Sequence, residues 1–185
     1  MRPTIYQQAR AKYTPDKIKV VFITEAPPPF DRNRYFYFEQ VRRGDSFFLE
    51  LIKVLFPEEV KAFETVKQLR AEKSYFLERL QEEGYLLLHA HDEPLPGTTA
   101  ASRARTYREN LPQLMANLLE VGSPRTPLVL VSAVVYRAIA ADLRASGFNV
   151  VQDQLIEYPN SGQQLNFRRK LKPLLLRERL LPDEI

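Results

Sequence analysis

The sequence predicts an α/β domain built as a three-layer α/β/α sandwich around a four-stranded parallel sheet. Three observations predict it. Four short apolar runs rich in β-branched residues are separated by stretches of helical periodicity. The runs are continuous rather than alternating, as strands covered on both faces require. Right-handed crossovers between parallel strands then place helices on both sides of the sheet. A length of 185 residues with 44% apolar content fits one domain spanning residues 1–185.

The elements follow in order. KIKVVFIT (17–24) comes after a Pro-Asp turn and reads as the first strand. SFFLELIKVLF then places Phe47, Phe48, Leu51, Ile52, Leu55 and Phe56 at i, i+3, i+4 spacing. Asp45 or Ser46 is expected to cap this helix, and Pro57 either ends it or opens the next. Residues 58–83 are charged and helical in pattern, with Val60, Phe63, Val66 and Leu69 on one face and Gly84 as the stop. YLLLHA (85–90) is the second strand, and DEPLPGTT leaves it as a loop. Thr106 and Glu109 have capping-box spacing ahead of Leu111, Leu114, Met115, Leu118 and Leu119. Pro112 lies in a first turn or kinks a longer helix. PLVLVS (127–132) is the third strand, and Ser132 caps a helix carrying Val135, Ile139 and Leu143 and closed by Gly147. FNVVQDQLIEYP (148–159) is the fourth strand, with Ser161 and Gln164 as a second capping box opening the last helix.

Composition excludes several classes. No apolar run approaches the roughly 20 residues that cross a bilayer, and MRPTIYQQARAKY lacks the apolar stretch of a secretory signal. Without cysteine there is no disulfide, iron–sulfur cluster or thiolate-bound zinc, and a cytoplasmic protein without a membrane partner is expected. The six glycines form neither a G-x-G-x-x-G nor a P-loop fingerprint, so no cofactor is expected. Net charge is +4 with a pI near 9.3, compatible with a polyanionic partner. Residues 163–179 carry six basic side chains against one acid, either a solvated helix face or a nucleic-acid footprint.

Ligands of open parallel sheets bind outside the carboxyl ends of the strands. The segments there are TEAPPPF, HAHDEP, SAVVY and YPNSGQQ. Glu25 emerges at the mouth just after a buried strand, and Pro27, Pro28 and Pro29 stiffen the loop that holds it. RYFYF (34–38) offers an aromatic wall. The plainer alternative makes Glu25 a surface acid, contributing little to stability, and the rings ordinary core. A metal hydrolase centred on His89, His91, Asp92 and Glu93 is a further alternative, because two imidazoles and an acid suit zinc or manganese.

Thr24-Glu25-Ala26-Pro27 resembles the first motif of the uracil-DNA glycosylase superfamily, most closely the branch reading Gly-Glu-Ala-Pro-Gly. Tyr158-Pro159-Asn160-Ser161 resembles its second motif, His-Pro-Ser-Pro, and Leu86-Leu87-Leu88-His89 resembles the strand ending in a base-reading asparagine. The three segments fall in family order between residue 18 and about residue 172. The resemblance implies a four-stranded parallel sheet between helices and a pocket for a flipped nucleobase. It implies that Glu25 and Ala26 lie where the hydrolytic water is positioned, with Glu25 the one carboxylate left in the motif. Phe36 or Phe38 would stack on the base, His89 would read its edge and Tyr158 would stabilise the departing base. The chain departs from the pattern at Pro28, where the family has glycine, at Tyr158, which cannot become cationic, and in lacking the branch's cluster cysteines.

The expected partners are therefore nucleic acid, DNA ahead of RNA, or a free nucleobase or nucleotide. The expected activity is hydrolysis of a base–sugar N-glycosidic bond, with a non-catalytic nucleotide-binding module as the alternative. Asn160, Ser161 and Gly162, at the start of the last helix, would meet a phosphate. Arg168 and Arg169, followed by Lys170 and Lys172, would extend that contact along a nucleic-acid backbone.

Overall fold

A computed structural model describes residues 3–182. Three parallel strands, β1 (Val20–Thr24), β2 (Tyr85–His89) and β3 (Leu128–Leu130), form an open sheet in the order β2-β1-β3. Every residue of the three is buried, so both faces of the sheet are covered, as their unbroken apolar sequences require. Nine helices surround it among the described residues: α1 (Ile5–Lys12), α2 (Ser46–Leu55), α3 (Pro57–Val60), α4 (Val66–Ala71), α5 (Lys73–Glu82), α6 (Ala100–Glu109), α7 (Leu111–Val121), α8 (Ala133–Ala145) and α9 (Gln164–Arg177). α2 packs with α9, and α6 with α8. Register positions the site. Val20 pairs with Tyr85 and the ladder runs to Thr24 opposite His89, so these two polar side chains sit together at the carboxyl edge.

The fourth predicted strand is a correction. Residues 148–159 touch β3 only through isolated bridges, Leu128 with Val150 and Val131 with Ile156. Between them a side chain takes the place of the backbone. The Gln152 amide nitrogen donates to the Leu130 carbonyl at 2.8 Å, and its oxygen accepts from the Leu130 N–H at 2.5 Å. The carboxamide mimics a peptide unit, which frees the main chain at 153–155 to leave the sheet.

Two expected caps fall elsewhere, and a third is in place without its bond. Asp45 occupies the N-cap of α2 but makes no capping bond, because Arg70 grips its carboxylate at 2.6 and 2.9 Å. Thr106 lies inside α6, whose cap is Thr99, while α7 begins after Asn110 with Pro112 in its first turn. Ser161 does not cap α9; the helix starts behind Gln163 without a side-chain cap, and Ser161 and Gly162 form a turn with φ of 47° and 86°. The stretch 58–83 is three helices rather than one, with Val66 exposed where the pattern places it on the buried face. Ser132 caps α8 as expected, accepting from the N–H groups of Val134 and Val135.

Gly84 ends α5 with φ of 86° and delivers the chain into β2. A Cβ there would stand 2.6 Å from the Lys17 carbonyl oxygen and 2.8 Å from the Lys19 nitrogen, both backbone atoms that cannot swing away. Gly84→Ala is therefore expected to lose about 2 kcal/mol, from the left-handed conformation plus the close approach. Chemical denaturation with an unchanged midpoint would show that the β1 approach yields.

Candidate ligand-binding site at the carboxyl end of the sheet

A cavity of about 600 Å³ opens where the strands end, lined from every segment the sequence points to. Thr24 comes from the tip of β1, Glu25, Ala26 and Pro28 from the loop after it, His89 from the tip of β2, Ser132 from the N-cap of α8 just past β3, and Tyr158 and Asn160 from the last loop. Its size falls within the range of small-ligand pockets, roughly 300–1,000 Å³. The proline loop is pinned from both sides by tyrosines. Tyr6 of α1 donates to the Pro28 carbonyl at 2.6 Å, and the Tyr107 hydroxyl of α6 accepts from the Ala26 N–H at 3.1 Å.

Glu25 is a hub and not a free surface acid, a correction to the plainer reading. Its Oε2 accepts from Arg103 Nε at 2.8 Å and from the Tyr107 hydroxyl at 3.3 Å, while Oε1 accepts from the Ser132 hydroxyl at 2.7 Å. Ser132 is held with φ of 154° and ψ of 140°, a conformation costly for a residue bearing a Cβ. Its double cap on α8 and its bond to Glu25 hold it there. Arg103 also donates to the Thr98 carbonyl at 2.9 Å, so its guanidinium is fixed in place.

His89 Nδ1 lies 2.5 Å from the Glu25 carbonyl oxygen and 3.1 Å from Thr24 Oγ1. A carbonyl can only accept, so Nδ1 carries the proton and Nε2 is a bare acceptor. Nε2 is buried and has no hydrogen-bond partner. Burial pushes the imidazole down to about 4, against an upward pull from its bond to the Glu25 carbonyl, so the ring is neutral near pH 7.

The aromatic candidates separate. Phe36 lines the cavity, wedged against Phe47 and Phe48 with centroids 5.5 and 5.7 Å away. Phe38 does not line it and packs on Tyr6 and Tyr35 instead. Tyr158 lines the cavity and stacks on Phe47 at 5.7 Å. Burial raises its phenol to about 12, so it is a neutral donor, and among the described residues its hydroxyl makes no hydrogen bond.

The last helix offers less free charge than its sequence promises. Arg168 Nε lies 3.0 Å from the buried Glu50 carboxylate, and Lys170 pairs with Glu157 at 2.8 Å. Arg169 and Lys172 are exposed and unpaired among the described residues, and of the turn before the helix only Asn160 and Gln163 line the cavity. The His-Ala-His-Asp-Glu segment disperses, because β2 ends at His89 and Ala90 onward is loop. His91 turns to the Glu93 backbone, Asp92 faces Arg10 at 3.6 Å, and no metal-holding group of three or more His, Cys, Asp or Glu exists among the described residues. Sequence reasoning missed Arg103 and Tyr107, and saw Ser132 only as a cap. Both missed residues lie on α6, where i, i+4 spacing puts them on one helix face, but nothing local marks that face as turned toward Glu25.

Comparison with known proteins returned no matching family model, no matching curated protein and no matching solved structure. The site is therefore read from its own chemistry.

Proposed function

We propose that this chain is a uracil-DNA glycosylase-like protein of the three-layer α/β/α type whose cavity binds a nucleobase, free or as part of a nucleotide or nucleic acid. One observation carries the binding reading: His89, whose buried Nε2 has no hydrogen-bond partner, lines a cavity walled by Tyr35, Phe36, Phe47 and Tyr158. Buried polar atoms are nearly always hydrogen-bonded, and a ligand N–H would satisfy this one. Flat aromatic walls suit a planar ring, and the Tyr158 hydroxyl supplies a donor for a carbonyl oxygen on that ring. A soak with uracil and other free bases is expected to give density between Glu25 and Tyr158, within hydrogen-bond distance of His89 Nε2.

Binding without turnover is the better supported form of this reading. A general base must present a lone pair to the water, whereas Arg103, Tyr107 and Ser132 fill three of the roughly four acceptor sites of Glu25 and leave one, on Oε1. Hydrolysis remains the second reading because Glu25 and Tyr158 line the same cavity, which would let a fixed carboxylate orient water beside a leaving base. A base-release assay on single- and double-stranded uracil-containing DNA decides between the two.

The tautomer sets a pH dependence. A ligand N–H bonds only to neutral His89, so affinity is expected to stay level from pH 8 to pH 5. It should then fall as the pH drops through about 4 and Nε2 takes up a proton. Calorimetric titration of a nucleoside across that range checks it; affinity that begins to fall near the ordinary histidine value of about 6.5 would mean that Nε2 is already in contact with water.

A further inference from the structure

The loop between β1 and α2 carries four arginines, Arg32, Arg34, Arg42 and Arg43, all exposed. Among the described residues none of their guanidinium groups makes an ion pair or a hydrogen bond. Elsewhere several cations are paired, Arg70 with Asp45, Arg79 with Glu59, Arg103 with Glu25, Arg168 with Glu50 and Lys170 with Glu157, whereas this loop gathers four that are not. The loop contains four acids, and three are already held: Glu25 by Arg103, Glu39 by Lys12 and the Tyr13 hydroxyl, and Asp45 by Arg70, which leaves Asp31.

The loop is folded so that these arginines share one region. Asn33 donates to the Gln40 carbonyl at 3.2 Å, closing the loop across its neck. The Arg34 stem lies against Gly44, where a Cβ would come within 2.9 Å of Arg34 Cδ. Arg42 and Arg43 immediately precede that glycine. Arg34 also lines the cavity, so the charged surface and the base pocket are continuous. On the same loop Phe30 is 54% exposed and stacks on Tyr6 at 4.9 Å, an aromatic platform beside the arginines.

We propose that the surface of residues 30–44 is the track for the phosphate backbone of a single nucleic-acid strand, one base of which occupies the cavity. Unpaired arginines meet successive phosphates, and an exposed ring provides the sequence-tolerant stacking that single-strand binding uses. The occupant is a strand rather than an isolated anion because Arg34 belongs to both the cavity wall and the basic surface. This inference rests on the base-binding reading of the cavity, and it moves the nucleic-acid surface from α9 to the loop.

The test is fluorescence anisotropy of a single-stranded oligodeoxynucleotide across a salt series, with the intact chain and with Arg32→Ala/Arg42→Ala/Arg43→Ala. Arg34 is left in place because it lines the cavity. The parent is expected to bind with a steep salt dependence. The triple variant should bind at least about tenfold more weakly, with a slope shallower by about 2, since each single-strand phosphate contact contributes about 0.7. Arg42→Ala alone should remove about 0.7, so the result does not depend on the triple variant folding. Arg169→Ala/Lys172→Ala should change neither value.

Nucleoside binding, followed by calorimetry, separates this inference from the reading beneath it. Equal nucleoside affinity in the parent and the triple variant, with the oligonucleotide lost only by the variant, supports both. Oligonucleotide loss on the triple substitution with no nucleoside binding by either protein supports the loop surface and removes the cavity reading. Unchanged oligonucleotide affinity and slope in the triple variant overturns the loop surface alone. No oligonucleotide binding by the parent, or binding to phosphatidylserine vesicles in its place, overturns it too.

Discussion

Gln152→Leu is expected to destabilise the protein by about 4 kcal/mol and to lower the melting temperature by roughly 8–16 °C. Leucine preserves approximate volume, so the loss comes from hydrogen bonding and not from a void. Three bonds disappear: both of those to Leu130 and the donation to the Gln154 carbonyl at 3.3 Å. The first two matter most. Leu130 is fully buried in β3, and its N–H and C=O on the outer edge meet only the carboxamide. On either side the same edge is bonded to backbone, Leu128 N–H to the Asn149 carbonyl at 2.9 Å and Ser132 N–H to the Ile156 carbonyl at 3.1 Å. Each stranded backbone group costs about 1–3 kcal/mol when buried. Differential scanning calorimetry showing a shift under about 2 °C would mean that the main chain closes onto Leu130 unaided.

Gln152 also explains which parts of the fold were legible. The central strands were, because VVFIT and YLLLH are unbroken apolar runs that no surface segment would carry. The fourth run, FNVVQDQLIEYP, reads equally well as a strand, yet only Val150 and Ile156 bridge to the sheet. A side-chain amide standing in for a peptide leaves no signature in hydropathy, since glutamine is as much at home at a strand end as in a turn. The caps went astray for separate reasons: Arg70 takes the Asp45 carboxylate, and Thr106 donates to the Ser102 carbonyl inside its own helix. Lys73 shows the same limit: it belongs to the charged helical stretch 58–83 but is fully buried over the Phe48 ring at 4.7 Å, with its ammonium pushed down to about 7 by burial. The cavity's place was legible because strand ends define it. Its chemistry was only half so, since Glu25 and His89 lie on strand tips while Arg103 and Tyr107 arrive from a helix some eighty residues away.

Glu25→Ala is expected to cost about 3 kcal/mol, and Glu25→Gln about 1 kcal/mol. Alanine strands three donors at once: the Arg103 guanidinium, the Tyr107 hydroxyl and the Ser132 hydroxyl. The Arg103–Glu25 pair is partly exposed, with side chains 27% and 28% accessible, so solvent screens some of the charge lost. The two hydroxyls lie deeper, and Ser132 is almost fully buried. Glutamine retains more. Its oxygen can still accept from Arg103 and Tyr107, but its amide then faces Ser132 Oγ, which already accepts from the Val134 and Val135 N–H groups. What it loses is the Ser132 bond and the charge opposite Arg103. The stabilities and the activity then report on different things. A carboxylate that only braces the site predicts that Glu25→Gln keeps nucleobase affinity within about threefold of the parent, a change worth under 1 kcal/mol. A carboxylate that acts on water predicts that base release is abolished by Glu25→Gln while the fold survives. Equal melting temperatures for the parent and Glu25→Ala would remove the bracing role altogether, because three donors cannot be stranded beside a cavity without cost.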